Sequence, residues 1–125
     1  MSVNESAMMH RAAVYQCGQL AGHLEQVEAD VWQFVYADNY HGIPISLTMP
    51  VRVKPYRFGS FPPFFDGLLP EGPQLEALLR THKIDRSDRF TQLVTVGEDL
   101  VGSLSVRLPE RAVMRRTVVQ SEEGE

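Results

Sequence analysis

AAVYQCGQLAGHLEQVEADVWQFVYA, residues 12–37, carries apolar side chains at alternate positions, the spacing that places them on one face of a pleated strand. Ala12 to Tyr15 reads as a first strand, turned around Gly18. A second begins at Leu20, with Leu20, Gly22 and Leu24 on one face and His23 and Glu25 on the other. The segment VWQFVYA, Val31 to Ala37, is rich in β-branched and aromatic residues and is bounded by polar residues on both sides, which makes it the strongest strand of the chain. The alternation runs on: Ile45, Leu47 and Met49 oppose Ser46 and Thr48, predicting a strand over 43–49. Val51 and Val53 then alternate with Arg52 and Lys54 between Pro50 and Pro55, predicting a short edge strand whose charges deter stray pairing.

After Pro55 the period changes. The stretch YRFGSFPPFF, residues 56–65, reads as a loop entering a short helix. Pro62 and Pro63 suit a first helical turn, Phe64, Phe65, Leu68 and Leu69 then share one side, and Pro70 ends the element. A second helix restarts with Gly72 as N-cap and Pro73 in the first position, and Leu75, Leu78 and Leu79 form its apolar stripe. Glu71 and Glu76 near its start and Arg80, His82 and Lys83 near its end follow the helix dipole. A third helix starts at Ser87 or Asp88, buries Phe90, Leu93 and Val94, and stops at Gly97, read as a left-handed C-terminal residue. Alternation returns over 103–108, ending at Pro109. The expected fold class is α+β: a small antiparallel or mixed β-sheet, or a partly closed barrel, with about three short helices. The expected domain spans 11–110, between a flexible N-terminus (1–10) and a mobile tail (111–125) with Val118 and Val119 available for one added edge strand.

A chain of 125 residues, 43% hydrophobic and 22% charged, has the composition of one globular domain with one core. Its formal net charge of -4 opposes the counterion-displacing contacts from which nucleic-acid affinity derives, so direct nucleic-acid binding is not expected. Cys17 is the single cysteine; it cannot form an internal disulfide and reads as a plain half-buried thiol beside a turn glycine. The opening MSVNESAMMH lacks a basic, apolar secretory pattern and no run is long enough for a membrane span, so a cytoplasmic protein is expected.

Chemistry is sparse. His10, His23, His41 and His82 fall on a tail, a strand, a loop and a helix end, without metal-ligand spacing, and read as solvated surface residues. Asp66, Glu71, Asp85, Asp88, Glu98 and Asp99 stand where helices begin or loops turn, which capping and solvation explain. Neither a Walker pattern nor a GxGxxG loop is present. No catalytic residue, metal or cofactor is therefore expected. The dense feature is apolar: Phe58, Phe61, Phe64, Phe65, Leu68 and Leu69 crowd one junction. Phe64, Phe65, Leu68 and Leu69 read as the clamp of helices on sheet. Phe58 and Phe61, beside Arg57, fit either the aromatic and Arg enrichment of binding hot spots or a lid closing a small barrel.

At FFDGLLPEG, Phe64 to Gly72, the sequence is similar to the signature in the N-terminal part of HipA-type serine/threonine kinases. ISLTMP and VRVKPY ahead of it, and VGEDLVGSLSVRLPE from Val96 to Glu110 behind it, resemble the flanking strands and the Gly-x-Asp-x-x-Gly segment of that family. The resemblance covers residues 12–110 in order. A HipA-type kinase continues well past this region into a nucleotide-binding loop, a catalytic Asp and a metal-binding Asp, whereas this chain ends at Glu125, so an enzyme is not expected. The resemblance is narrower to HipS-like antitoxins, encoded separately in tripartite HipBST toxin-antitoxin systems. It implies an antitoxin that inhibits a HipT-like serine/threonine kinase, with a HipB-like helix-turn-helix DNA-binding protein in the same complex and no membrane partner. The alternatives are a structural N-terminal piece of a HipA-type kinase or a small ligand-binding barrel. Phe58, Phe61, Glu71, Gly72, Pro73 and Gln74 are the expected partner-binding residues.

Overall fold

Gln16 and Gln19 pair across a two-residue turn in which Cys17 and Gly18 both have positive φ, 54° and 80°. Such a turn matches the right-handed twist of the strands it joins. It closes a hairpin of β1 (Arg11–Gln16) and β2 (Gln19–Glu28), and β3 (Val31–Tyr36) follows as the next antiparallel neighbour. In the computed structural model, which describes residues 10–100 and 102–108, β4 (Tyr56–Phe58) and β5 (Leu104–Arg107) complete an antiparallel sheet of order β4-β3-β2-β1-β5. The sheet is open, with β4 and β5 as its edges, so of the two architectures expected the sheet is the one found.

Trp32, Phe34 and Tyr36 point alternately inward from β3, beside Leu24 of β2, Val14 of β1 and Val106 of β5. Three helices follow β4: α1 (Pro63–Asp66), α2 (Gly72–His82) and α3 (Arg89–Thr95). Phe65 of α1 and Phe90 and Leu93 of α3 are buried in the same cluster as Trp32 and Phe34, so these two helices cover the inward face. α3 starts as its sequence dictates: Asp88 accepts from the Thr91 amide at 3.1 Å and the Thr91 hydroxyl at 2.7 Å, satisfying a donor the helix leaves open. Gln92 is buried, and its amide donates to the carbonyls of Asp85 and Arg86 at 3.1 and 3.0 Å.

Several expectations need correction. Residues 43–49 form no strand. Pro44 and Pro50 bracket the segment, and the Ser46 hydroxyl accepts from the Thr48 amide at 3.2 Å, a local turn that competes with a ladder. Only an isolated bridge, Ser46 to Met49, remains. Val51 to Lys54 is likewise unpaired, and the edge strand is Tyr56–Phe58, registered on Phe34 to Trp32. The first helix ends at Asp66, short of Leu68 and Leu69, which nevertheless pack against the core. Gly72 is the first residue of α2, flanked by Glu71, and Leu75, Leu78 and Leu79 are half-buried, none of them fully. Gly97 does not have positive φ; β5 passes so close that a side chain there would meet its backbone. Cys17 is exposed rather than half-buried. His10 is partly buried, bonded through Nδ1 to the Gln26 amide oxygen and packed on Trp32 and Phe90. The expected N-terminal segment before His10, and the tail with Val118 and Val119, lie outside the described residues.

Three tyrosines hold the loop between β3 and β4. The Tyr36 hydroxyl donates to the Met49 carbonyl at 2.5 Å and accepts from the Ile45 amide at 3.0 Å. Those of Tyr40 and Tyr56 donate to the Ile43 and Pro50 carbonyls at 2.5 and 2.6 Å. Burial pushes the Tyr36 and Tyr40 phenols up, so both remain donors through the physiological range. Tyr36→Phe strips the buried Ile45 amide and Met49 carbonyl of their partner, and a loss of about 1–3 kcal/mol is expected in urea denaturation.

His23 gives a pH dependence. Burial, reinforced by nearby Arg11 and opposed by Glu25, holds its imidazole below the ordinary value of 6.5. Above pH 6.5 the ring is neutral in folded and unfolded chains alike. As pH falls through that value the unfolded chain takes up a proton that the folded one resists, so the ring's contribution turns against folding. The melting temperature is expected to fall between pH 7.5 and 5.5, and His23→Gln to flatten part of that slope.

Candidate partner-binding surface

The expected partner-binding residues sit in two places. Phe58 lies in β4 opposite Trp32 and is half-buried against the core. Phe61 meets the Trp32 ring edge-on, centroids 5.1 Å apart. Glu71 and Gln74 line a separate groove, while Gly72 and Pro73 open α2 on the exposed side.

The first cleft encloses about 290 Å³ between the start of β3 and α3. Trp32, Phe61, Phe90 and His10 line it, with Asp30, Asp88 and Arg89 among the polar residues at its mouth. The Trp32 and Phe90 rings stack with centroids 5.8 Å apart and planes inclined by 28°, so they form a continuous aromatic floor. The second cleft, about 490 Å³, runs between the turn after α1 and the segment after α3. Leu68, Leu69, Pro70, Val96 and Leu100 supply its apolar wall, and Glu71, Gln74 and Asp99 its polar rim. The two clefts share no lining residue. Phe61 and Gln74 are close along the chain, but α1 and the turn at Pro70 carry them into different clefts.

Trp32, His10 and Phe90 come to Phe61 from distant segments, a convergence that strand and helix periodicity does not report. Leu100 lines the second cleft as well, and its signal in the sequence is an apolar side chain directly after Glu98 and Asp99. Other carboxylates have local tasks. Asp88 caps α3, Asp66 pairs with Arg89 at 3.4 Å, Glu98 with Arg107 at 3.6 Å and Glu76 with Arg86 at 2.8 Å. Among the described residues no three His, Cys, Asp or Glu side chains are grouped to hold a metal. No described helix is long and apolar enough to cross a membrane. What the two clefts can do, on this chemistry, is receive side chains: apolar ones, and cationic ones at their acidic rims.

Known proteins resemble this chain. An "Uncharacterized protein" of Haemophilus influenzae is 29% identical over 100 residues, covering 80% of this chain and 93% of its own length. The protein named "Putative kinase Y4mE" of Sinorhizobium fredii is 30% identical over 101 residues, covering 78% of this chain but 24% of that protein. A solved structure titled "N-terminal domain of HipA toxin" superposes with a TM-score of 0.62 at 30% identity, covering 78% of this chain and 90% of that one. Residues 12–107 match the family description "HipA N-terminal domain", and the chain belongs to that family.

Proposed function

We propose that this protein is a non-catalytic, cytoplasmic antitoxin that binds a HipT-like serine/threonine kinase and restrains it, in a complex that also contains a HipB-like helix-turn-helix protein. The observation that carries the reading is the pairing of relatives. The same domain makes up nearly all of a short protein and about a quarter of one whose name describes a kinase. A module found in both settings is suited to dock against kinase architecture from outside. Its two clefts are the surfaces on which anchors from the kinase would seat, blocking or distorting the active site. Nanomolar inhibition requires about -12 kcal/mol, which an interface of ordinary size provides when a few buried anchors carry it.

The test is co-expression with HipA-type kinases of the same genome, followed by affinity purification and a growth assay. Recovery of a kinase in complex and relief of its toxicity support the reading, and a protein that captures no kinase ends it. Phe61→Asp, Pro73→Glu and Gln74→Lys are each expected to restore toxicity while the domain stays folded; unchanged inhibition by all three rejects the site. A second reading, a structural N-terminal piece of a one-chain kinase, is favoured by the Y4mE match. A reading frame running on into kinase motifs decides for it.

A further inference from the structure

Among the described residues the exposed large hydrophobics are Ile43, Leu47, Val51, Val53 and Leu108, and all but the last belong to the loop between β3 and β4. Leu47 is 98% exposed and Val53 90%. A slack loop could fold such side chains back. This one is pinned: Ile45 and Met49 are buried under it, and the tyrosine hydroxyls of Tyr36, Tyr40 and Tyr56 bond its carbonyls. Arg52 lies over the Tyr56 ring, 3.6 Å from its centroid, and donates to the Lys54 and Pro55 carbonyls. The loop therefore holds aliphatic side chains in water in one preformed shape, and exposed apolar surface of this kind marks interaction sites.

Its charge indicates what it meets. Although the chain is formally -4, no Asp or Glu occurs from Asn39 through Phe65, while Arg52, Lys54 and Arg57 do. We infer that the loop from Ile43 to Val53 is a second kinase-facing surface, which takes an apolar patch ringed by carboxylates on the catalytic portion of the kinase. This rests on the kinase-partner reading above and adds a contact to it. Trp32 and Tyr36 stand at opposite ends of β3, so the loop and the aromatic cleft face different parts of the partner. In the longer relative three-quarters of the polypeptide lies outside the matched stretch, and that remainder is a body large enough to cover both ends. A second copy of this chain is disfavoured, because a two-fold contact would set Arg52 and Lys54 against their own like charges. A membrane is disfavoured because none of the exposed apolar side chains is a Trp, Tyr or Phe of the kind that anchors at lipid interfaces.

The probe is the kinase that co-purifies in the experiment above. The double variant Leu47→Asp/Val53→Asp changes side chains already in water, so an unchanged melting temperature is expected together with a rise of at least about tenfold in Kd. Lys54→Glu/Arg57→Glu is expected to slow association about tenfold and reduce its salt dependence. If both double variants bind the kinase as the wild type does while Phe61→Asp does not, the loop surface is wrong and the kinase reading stands. If the wild type captures no kinase, both fall. Two other results overturn the assignment: binding to phosphatidylglycerol vesicles that Leu47→Asp/Val53→Asp abolishes while kinase affinity is unchanged, or a sedimenting dimer of this chain that the same variant dissolves.

Discussion

Gly97→Ala is expected to unfold at a markedly lower denaturant concentration than the wild type. An alanine Cβ at this position would lie 1.6 Å from the Val106 carbonyl oxygen and 2.7 Å from its carbon. Both atoms are backbone, so no side-chain rotation relieves the clash. The same contact includes a hydrogen bond, Val106 amide to Gly97 carbonyl at 3.0 Å, which fixes the end of α3 to β5. Moving β5 away would break its ladder with β1 over Ala13 to Gln16 and withdraw Val106 and Leu104 from the core. A cost on the order of 4 kcal/mol follows from combining steric displacement with lost burial, against a total stability of roughly 5–15 kcal/mol. Chemical denaturation of Gly97→Ala beside Gly59→Ala isolates the cause. Gly59 has nothing within 4 Å of an added Cβ, and its variant should unfold where the wild type does.

Phe65→Ala should cost about 3–5 kcal/mol, the range for removing a buried Phe ring. Phe65 has no exposed surface and its ring stands 5.8 Å from that of Phe34. α1 is four residues long, too short to be held by its own hydrogen bonds, so burial of this ring keeps it on the sheet. Losing it loosens the residues on both sides. Phe61 before it lines the aromatic cleft, and Leu68 and Leu69 after it line the other. Phe64→Ala, at a half-buried site, should cost distinctly less. Calorimetric melting of both variants checks the ranking, and a reversed order would assign the anchoring role to Phe64.

The strands from Arg11 to Tyr36 were legible as elements and the turn at Gly18 separates the first two, but only β3 keeps its alternation throughout. β1 is buried on both faces, and a bulge opposite Val14 and Tyr15 puts Ala21 in the core and takes Leu20 off the face of Gly22 and Leu24. α3 was legible from Asp88 and the spacing of Phe90 and Leu93. Residues 43–53 misled for a physical reason: two-residue alternation is necessary for a half-buried strand but does not supply a neighbour to pair with. Pro44, Pro50 and Pro55 remove ladder donors throughout that stretch. Tyr56–Phe58 carried only three residues of signal, and its pairing with Trp32 is a tertiary fact. Gly97 read correctly as a helix stop but for the wrong cause, since a missing Cβ can serve conformational freedom or close approach and the sequence is the same for both. Of the candidate surface, the aromatic and apolar residues near Phe61 and Leu69 were visible individually. Their division between two clefts was not, because it depends on where α1 turns the chain.

The hairpin tip offers a practical handle. Cys17 is the only cysteine in the chain and its side chain is exposed, so a maleimide dye attaches at one known spot. That spot adjoins Gln16, whose side-chain amide donates to the Pro44 carbonyl at 3.3 Å. A fluorophore there would sit beside the β3–β4 loop, and its emission would register an arriving kinase without altering any residue proposed to touch it.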